Sequence, residues 1–317
     1  MTHARERHFI KILQATLEKE KYEKVVLGIG DDAAVLGSLD KHLVCSVDVQ
    51  VEHVHFKQSY LSHEQLAWRA MAVSVSDLSA MAAKPVGALV SLILPESTSD
   101  ETIRALAEGL RMASDEMQIP VVGGNLSRGR NMSVSVTVLG ESNSNVLRRS
   151  TAKVGDKLYL TGQVGSAALG LKALQQSSTH LDFRKFVERW QRPPVYLKEM
   201  AAVAHIASAA IDLSDGLNDA LQLVTESSHV AATVALEKLP FDTGYREACE
   251  ALDCDPFELA LLGGEDYELL IASKEHPLLE SFATCIGDIV VGDKNVMYTY
   301  NGSEQPTVRQ GDFVHFA

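Results

Sequence analysis

Short acidic segments recur along the 317-residue chain, and each one contains glycine or borders an apolar run. They are Gly28-Ile29-Gly30-Asp31-Asp32, then Asp48, Asp77, Asp212 with Asp215, and Glu265 with Asp266. Carboxylates held close together repel each other unless a cation lies between them. Oxygen ligands without cysteine suit hard cations, Mg²⁺ before Zn²⁺. The recurrence favours a magnesium site, while a solvated acidic turn is the alternative for any single segment.

Short acidic segments of this kind suit phosphoryl transfer. The sequence shows no Ser-His-Asp arrangement and no activated cysteine, so covalent acyl chemistry has no candidate nucleophile. Phosphoryl transfer instead needs positioned substrates and neutralised charge. Several Mg²⁺ ions in one cleft would locally offset the formal charge of −13 and accommodate a triphosphate. The residues therefore predict a Mg²⁺-dependent enzyme that uses ATP.

Composition argues against several other classes of function. Lysine and arginine number 29 against 42 aspartates and glutamates, without any basic run, which disfavours nucleic acid or an anionic membrane surface as a partner. The four cysteines, Cys45, Cys249, Cys254 and Cys285, lack the CxxC spacing of a zinc site and fit a reducing cytosol. The sequence has no N-terminal signal segment and no apolar run of membrane-spanning length. We expect a cytoplasmic protein.

Hydrophobic periodicity predicts the elements that carry the acidic residues of the first half. Asp48 interrupts an apolar strand, and Asp77 lies in a helix with apolar or small residues around most of its circumference. For Asp77 the structural alternative is a hydrogen-bonded cluster with its neighbouring serines. The predicted helices are 8–20, 63–83 and 100–117, and the predicted strands are 43–51, 88–94, 119–125 and 132–140. The order β-turn-β-α-β-α-β-β indicates an α+β fold with a mixed or antiparallel sheet.

The polar segment 141–150 has the composition of a linker. We place the domain boundary there, which gives an N-terminal domain of residues 1–145 and a C-terminal domain of residues 146–317. The second half begins with a strand at 157–161 and a glycine-rich segment at 162–171. That segment is either a phosphate-binding loop at a helix N-terminus or, as its lack of a P-loop lysine favours, a plain strand-to-helix turn.

Two acidic segments of the second half adjoin apolar strands. Asp212 ends such a strand, and Ser214 and Asp215 are expected to cap the helix that Gly216 begins. Capping explains Ser214 or Asp215 but not both together with Asp212, which favours a metal or phosphate site. Segment 261–271 repeats the order of glycines, carboxylates and apolar strand. Further expected elements are a helix after Pro194 that runs to about Ser208 and a hairpin within 294–316.

Six motifs, in order and spread over essentially the full length, resemble those of thiamine-monophosphate kinases, a family of the aminoimidazole-ribonucleotide-synthetase-like superfamily. They are Gly-Ile-Gly-Asp-Asp-Ala-Ala (28–34), Ser-Val-Asp with Glu-His-Val-His-Phe (46–56), Val-Ser-Val-Ser-Asp-Leu-Ser-Ala-Met (73–81), Gly-Gly-Asn-Leu-Ser-Arg-Gly (123–129), Ile-Asp-Leu-Ser-Asp-Gly-Leu (211–217) and Gly-Gly-Glu-Asp-Tyr-Glu-Leu (263–269). The resemblance implies an N-terminal α+β domain that pairs in a homodimer and a C-terminal α/β domain folded behind it. It also implies direct transfer of the γ-phosphoryl group of ATP to thiamine monophosphate, giving thiamine diphosphate, with magnesium ions between the substrates.

The resemblance further implies roles for individual residues. The implied magnesium ligands are Asp32, Asp48, Asp77 and Asp212, with Asp215 and Asn125 as further ligands and Ser46 assisting. The implied nucleotide contacts are the Gly124 backbone, Asn125, Arg149 and Ser214, and the implied contacts to thiamine monophosphate are His55, Glu265 and Phe313. An aromatic ring such as that of Phe313 can stack on a cationic thiazolium or a pyrimidine.

Three positions depart from the family pattern. Asn125 stands where the family usually has aspartate, Val47 where it has threonine, and Ser74 where it has asparagine. By resemblance the first two changes fall on the same magnesium site, so we expect weakened binding of one metal and slower turnover. Asn125 can still coordinate through its carbonyl oxygen, although without charge.

Two alternatives follow from the sequence. The first is another ATP-using enzyme of the superfamily, but the chain lacks the reactive N-terminal cysteine of a selenophosphate synthetase and the terminal cysteine of a hydrogenase-maturation enzyme. The second is a homologue that binds ATP or thiamine phosphates without turnover, which Val47 and Asn125 suggest. The other acidic positions are intact, which favours the kinase.

Overall fold

Two β-sheets and the helices packed on them form the structure, which is a computed structural model that describes residues 25–27, 34–37, 42–142, 146–176 and 183–305. The expected helix 8–20, the first acidic turn with Asp32, and Phe313 lie outside the described residues. In the described part of the chain, no helix has the length and apolar character needed to span a membrane.

The first sheet has six strands in the order β1-β2-β3-β6-β4-β5. Their bounds are Val25–Leu27 (β1), Ala34–Gly37 (β2), His42–Val51 (β3), Lys84–Leu94 (β4), Val121–Arg128 (β5) and Ser133–Ser142 (β6). Neighbouring strands are antiparallel except for the parallel pair of β4 and β5. The expectation of a mixed or antiparallel sheet is therefore confirmed, and the sheet is mixed.

Helix α1 (His63–Ala80) packs on one face of this sheet, and helix α2 (Asp100–Met117) packs against α1. Along β6 every second residue is buried, including Val134, Val136 and Val138, as the period of a half-buried strand requires. Helix α1 begins at a capping box formed by Ser62 and Gln65. It ends at Ala80, earlier than the predicted residue 83.

The second sheet has seven strands in the order β13-β12-β9-β11-β7-β10-β8. Their bounds are Lys157–Thr161 (β7), Ala207–Asp212 (β8), Ala231–Ala235 (β9), Leu269–Ser273 (β10), Ala283–Val290 (β11), Val296–Tyr300 (β12) and Ser303–Glu304 (β13). The helices are Ser166–Gln175 (α3), Arg184–Gln191 (α4), Leu197–Val203 (α5), Leu217–Ser228 (α6), Tyr245–Ala251 (α7), Pro256–Leu262 (α8) and Pro277–Glu280 (α9). All described pairs in this sheet are antiparallel except β9 with β12.

Two details of the second half correct the expectations from sequence. The helix after Pro194 ends at Val203 rather than near Ser208, because residues 207–212 pair with β10 as strand β8. The helix after Gly216 has Gly216 itself at its N-cap and no side-chain cap, so Ser214 and Asp215 do not cap it. The hairpin expected within 294–316 is present as β12 and β13. The boundary between residues 145 and 146 stays a prediction.

Helix α1 is the element that joins the two halves. Of its residues, all but four are buried, and it contacts α4, α5 and β8 of the second half as well as its own sheet. Three of its polar side chains, Arg69, Ser76 and Asp77, are held among these neighbours. A central helix with polar residues at fixed positions therefore places side chains of both halves against one another.

Candidate functional site

A cleft of about 690 Å³ lies between the two halves. One wall is the end of β3 and the turn that follows it, and the other is formed by α3, the loop after β8 and the segment 253–267. The residues that line the cleft include five of the predicted site residues: Asp48, His55, Ser214, Asp215 and Glu265. Side chains from distant parts of the sequence thus meet in one cavity.

Two of the predicted magnesium ligands, Asp77 and Asp212, each accept a hydrogen bond from a serine. Ser46 Oγ on β3 donates a hydrogen bond to the Asp77 carboxylate on α1. The next helical residue, Ser76, donates from Oγ to Asp212 Oδ2 at 2.7 Å. These bonds differ from the serine cluster considered from sequence: Ser74 and Ser79 donate to carbonyls of their own helix, Ser76 donates to the second half, and α1 continues unbroken to Ala80.

Asp48 of the first half lies close enough to Asp212 of the second for their negative charges to repel each other. Burial raises the pKa of Asp212 to about 7, and the charges of Asp48 and Asp215 add to this shift while the Ser76 hydroxyl opposes it. Burial also raises the pKa of Asp48, against the lowering effect of Ser74. The Oδ2 atom of Asp48 is buried and accepts no hydrogen bond from any described residue. A buried carboxylate oxygen without a hydrogen-bond donor is costly unless a cation binds it.

Hard divalent cations fit the donor set of Asp48, Asp77 and Asp212, because all three offer carboxylate oxygens. Within residues 42–142, 146–176 and 183–305, however, no group of three or more histidine, cysteine, aspartate or glutamate side chains is close enough to hold a metal ion. The predicted ligand Asp32 lies outside these residues. The metal roles of these residues therefore remain predictions, supported by the unsatisfied Asp48 oxygen.

The three carboxylates of the motif at 263–269 have different surroundings. Glu265 lines the cleft, whereas Asp266 and Glu268 are buried beneath it. Asp266 accepts the backbone N–H groups of Gly165 at 2.6 Å and Ala167 at 2.9 Å. The N-terminus of α3 is therefore bound by a carboxylate of the protein itself. For the glycine-rich segment 162–171 this favours the strand-to-helix turn over a phosphate-binding loop.

Ser214 and Asp215 occupy the loop between β8 and α6. Neither side chain caps the helix. Both residues line the wall of the cleft, and Ser214 is exposed. Gly216 has a φ of 106° in this loop, and an added Cβ would lie 2.9 Å from the Leu261 carbonyl oxygen. The glycine thus lets the loop approach the segment that carries Glu265.

His53 and His55 both line the cleft and lie in a turn. The turn is closed by the His53 N–H on the Phe56 carbonyl and by the His55 N–H on the Val51 carbonyl. His55 Nδ1 accepts the Val51 N–H at 3.1 Å. In the neutral ring the proton therefore resides on Nε2.

Gly124, Asn125 and Arg149 do not line the cleft of a single chain. The first two lie on β5, an edge strand whose residues are all exposed. Arg149 lies just before β7, where its carbonyl accepts a hydrogen bond from Ser228 Oγ at 2.9 Å. The structure therefore brings together only part of the set implied by the resemblance.

Sequence reasoning missed Gln50, Lys57, Lys172 and Tyr267 in the cleft wall. Gln50 is only 3% exposed, and its Oε1 atom accepts no hydrogen bond from the described residues. Strand alternation was the signal that would have found it, because Gln50 lies two residues after Asp48 on the same face of β3. Tyr267 belongs to the 263–269 motif, two residues after Glu265, whereas Lys57 and Lys172 lacked a signal because only folding brings their segments to the cleft.

Comparison with known proteins identifies relatives of the chain. Residues 30–142 match the family described as AIR synthase related protein, N-terminal domain. The chain is 33% identical over 270 residues to the thiamine-monophosphate kinase of Aquifex aeolicus (strain VF5), a match that covers 84% of this chain and 84% of the relative. It is also 33% identical over 313 residues to that of Salmonella typhimurium, with 97% and 91% covered.

A solved structure agrees with these relatives. It is AaThiL complexed with AMPPCP and TMP, which matches with a TM-score of 0.85 at 30% identity and covers 96% of this chain and 95% of its own. The similarity extends through both sheets and is not confined to the first. This chain belongs to the thiamine-monophosphate kinase family.

Proposed function

We infer that this protein transfers a phosphoryl group from ATP to thiamine monophosphate and so forms thiamine diphosphate. The observation that carries the inference is the cleft, in which Asp48 of the first half faces Ser214, Asp215 and Glu265 of the second. It occurs in a fold that matches a relative complexed with an ATP analogue and TMP. The free cysteines of the described residues suit the cytoplasm, where we place the reaction.

We propose that Asp48, Asp77 and Asp212 hold Mg²⁺, with Asp32, Asp215, Asn125 and Ser46 as further contributors. The support is chemical: the buried Asp48 oxygen lacks a donor among the described residues, and burial, with the charges of Asp48 and Asp215 in addition, raises the pKa of Asp212. Bound magnesium would neutralise the charge of the phosphates during transfer. Ser46 and Ser76 orient two of the carboxylates by donating hydrogen bonds to them.

No general base is needed at this site, because the acceptor is a phosphate. A phosphate monoester with a second pKa near 6 is already ionised at neutral pH, so its oxygen can attack without losing a proton to the protein. The protein's task is then to align the two substrates and stabilise charge. We assign contacts to thiamine monophosphate to His55, Glu265 and Phe313, and contacts to the nucleotide to Gly124, Asn125, Arg149 and Ser214.

The test is to incubate the protein with ATP, Mg²⁺ and thiamine monophosphate, and to measure both ADP release and thiamine diphosphate by chromatography. Equal amounts of the two products support the kinase. The second candidate, a homologue that binds without turnover, is favoured by Val47 and Asn125. It predicts that calorimetry detects binding of thiamine monophosphate while neither product forms.

The positions of Gly124 and Asn125 suggest that two chains build the nucleotide site. Three strand spacings, or about 14 Å, separate β3 from β5 across the sheet. The register aligns Asn125 with Val49 rather than with Asp48, so Asn125 and Asp48 belong to opposite faces. We therefore propose that the exposed edge of one chain completes the site of a second copy in a homodimer.

The face of the first sheet opposite α1 supports this dimer. Among the described residues, Val47, Val49, Leu89 and Ile93 on this face are between 40% and 59% exposed. The polar residues Ser135 and Thr137 of β6 lie between them, so the apolar residues form two rows on β3 and β4, and an interface would bury such exposed rows. Light scattering should give the mass of two chains, and Leu89→Glu with Ile93→Glu should give that of one. A wild-type protein that is monomeric at micromolar concentration would exclude the proposal.

Asn125→Asp should strengthen metal binding, because it returns a charged ligand to the predicted magnesium site. We expect the Mg²⁺ concentration for half-maximal phosphorylation to fall by a factor of about 5, with faster turnover. Asn131→Asp is the matched control, since it adds the same charge at an exposed turn of the same sheet. If Asn125→Asp and Asn131→Asp give the same Mg²⁺ titration, Asn125 does not weaken the site.

A further inference from the structure

Arg69 is a fully buried cation at the junction of the two halves. It lies on α1 with 0% exposure, and its Nη2 atom is 2.7 Å from Glu265 Oε1. Its Nη1 atom donates to the Trp190 backbone carbonyl, and its guanidinium lies over the Trp190 ring, 4.8 Å from the centroid. A buried guanidinium requires an anion, and Glu265 supplies it.

Trp190 holds the other oxygen of the same carboxylate. It lies on α4, is also fully buried, and donates from Nε1 to Glu265 Oε2. Each carboxylate oxygen of Glu265 is therefore bound by a different element. The Glu265 backbone has a φ of 69°, in the left-handed region that a residue with a Cβ adopts only when its surroundings enforce it. The direction of this side chain is set by α1 and α4.

One side of the Glu265 carboxylate still faces the cleft. The side chain is 24% exposed, and Glu265 belongs to the cleft lining, whereas Arg69 and Trp190 do not. Each carboxylate oxygen has two lone pairs, so the two bonds from the protein leave acceptor capacity on both oxygens. The complementary group on a ligand is an N–H donor. Thiamine monophosphate carries such a group as the amine on its pyrimidine ring.

We propose that Arg69 and Trp190 are positioning residues that hold Glu265 so that it accepts a hydrogen bond from the amino-substituted ring of the substrate. The proposal rests on the proposed function and adds two residues that never touch the ligand. The affinity for thiamine monophosphate then depends on the indole N–H of Trp190, whereas the affinity for the nucleotide is independent of this N–H group.

Substituting Glu265 would not test the idea cleanly, because removing it leaves Arg69 buried without its anion and endangers the fold. Trp190→Phe is the sharper variant. Phenylalanine keeps the backbone carbonyl for Arg69, an aromatic face for its guanidinium and an edge for the Tyr60 ring, whose centroid lies 6.2 Å from that of Trp190. It removes the N–H donor to Glu265 Oε2.

Trp68→Phe provides the matched control, since the chain has only two tryptophans. Trp68 is also buried, on α1, and donates from Nε1 to Glu116 Oε2 at 3.3 Å, outside the cleft. Dissociation constants for thiamine monophosphate and for a non-hydrolysable ATP analogue would be measured by calorimetry. We expect Trp190→Phe to weaken thiamine monophosphate about tenfold and the ATP analogue less than about twofold, with Trp68→Phe unchanged for both.

Fluorescence gives a second readout that a purely structural role would not move. In the Trp68→Phe protein, Trp190 is the sole tryptophan, and saturation with thiamine monophosphate should shift its emission whereas the ATP analogue should not. The proposal is overturned if Trp190→Phe and Trp68→Phe bind thiamine monophosphate equally, or if Trp190→Phe weakens both ligands alike.

The outcomes also separate this proposal from the proposed function. A wild-type protein that binds thiamine monophosphate but forms no thiamine diphosphate contradicts the kinase, while the comparison of dissociation constants still decides the role of Trp190. A wild-type protein that forms thiamine diphosphate, with Trp190→Phe as tight as Trp68→Phe, contradicts only the positioning role. Absence of any binding by the wild type overturns both.

Discussion

Asp48→Asn should abolish phosphorylation and at the same time stabilise the metal-free protein. The substitution removes a charged ligand from the proposed magnesium site, and we expect turnover to fall about a thousandfold. The buried Oδ2 of Asp48 has no donor among the described residues, and the Asp48 charge adds to the effect of burial in raising the pKa of Asp212. Relief of that repulsion should raise the melting temperature without metal by about 2 °C.

In the presence of magnesium, the wild type should melt at a higher temperature than Asp48→Asn, the reverse of the order without metal. A cation that binds only the folded state raises the melting temperature of the wild type, and a variant with a weakened site gains less. Asp293→Asn, at an exposed turn, is the control and should match the wild type in turnover and in both melting temperatures. An Asp48→Asn protein that keeps wild-type turnover, or that gains as much from magnesium, would show that Asp48 is not a ligand.

The same cluster predicts a dependence of stability on pH in the absence of metal. Burial raises the folded-state pKa of Asp212 to about 7, above the ordinary value, so its protonated form stabilises the fold. That contribution is complete at low pH and is lost as the pH rises through about 7. The metal-free wild type should therefore melt at a lower temperature at pH 8 than at pH 6. In Asp48→Asn the difference should narrow, because one charge that raises the Asp212 pKa is gone.

Local signals in the sequence predicted part of the secondary structure and the type of chemistry. The cap at Ser62, the alternation along β6 and the apolar run ended by Asp212 are signals of this local kind, and the structure contains all three. The carboxylates were found because charge in an apolar element is costly and therefore informative. Asp212 of the second half interacts with two residues of the first, the Ser76 hydroxyl and the Asp48 charge, while Asp77 accepts a hydrogen bond from Ser46 within the first half.

What the sequence did not show depends on contacts between distant segments. The carboxylates of the 263–269 motif look equivalent in sequence, yet Glu265 faces the cleft while Asp266 and Glu268 are buried. Ser214 looked like a helix cap, but the φ of Gly216 lets the loop turn before the helix begins. Likewise, the edge position of β5 follows only from strand order, which local periodicity does not encode.

We expect the stability of the second half to depend strongly on the buried carboxylate of Glu268. It is fully buried and accepts hydrogen bonds from Thr161 Oγ1 and the Tyr196 hydroxyl, both at 2.6 Å, and from Arg189. Burial raises the pKa of Tyr196, and the adjacent carboxylate adds to the shift, so the phenol remains a donor. Arg189 immediately precedes Trp190 on α4. Arg189 and Trp190, which are neighbours on α4, thus bind Glu268 and Glu265. Helix α4 therefore connects the buried Glu268 carboxylate, the buried anchor of this helix, to the wall of the cleft.

Glu268→Ala should be the most destabilising of the substitutions proposed. It leaves a partly buried guanidinium and two hydroxyl donors without their acceptor, and we expect a loss of about 3–5 kcal/mol in the free energy of unfolding, measured by urea denaturation. Because α4 loses its anchor, the surviving folded protein should also bind thiamine monophosphate more weakly. Glu268→Gln keeps the shape and one acceptor oxygen, so its loss should be smaller, about 2 kcal/mol.

Asp288→Ala is the control for this prediction, because it breaks a carboxylate–lysine pair of the same sheet at the surface. Asp288 Oδ1 lies 2.7 Å from Lys157 Nζ, and their side chains are 46% and 32% exposed. Solvent screens such a pair, so its removal should cost less than about 1 kcal/mol. Equal losses for Glu268→Ala and Asp288→Ala would mean that the buried network adds nothing beyond an ordinary surface ion pair. A loss confined to Glu268→Ala, with weaker binding of thiamine monophosphate, would support the link between the buried anchor and the cleft.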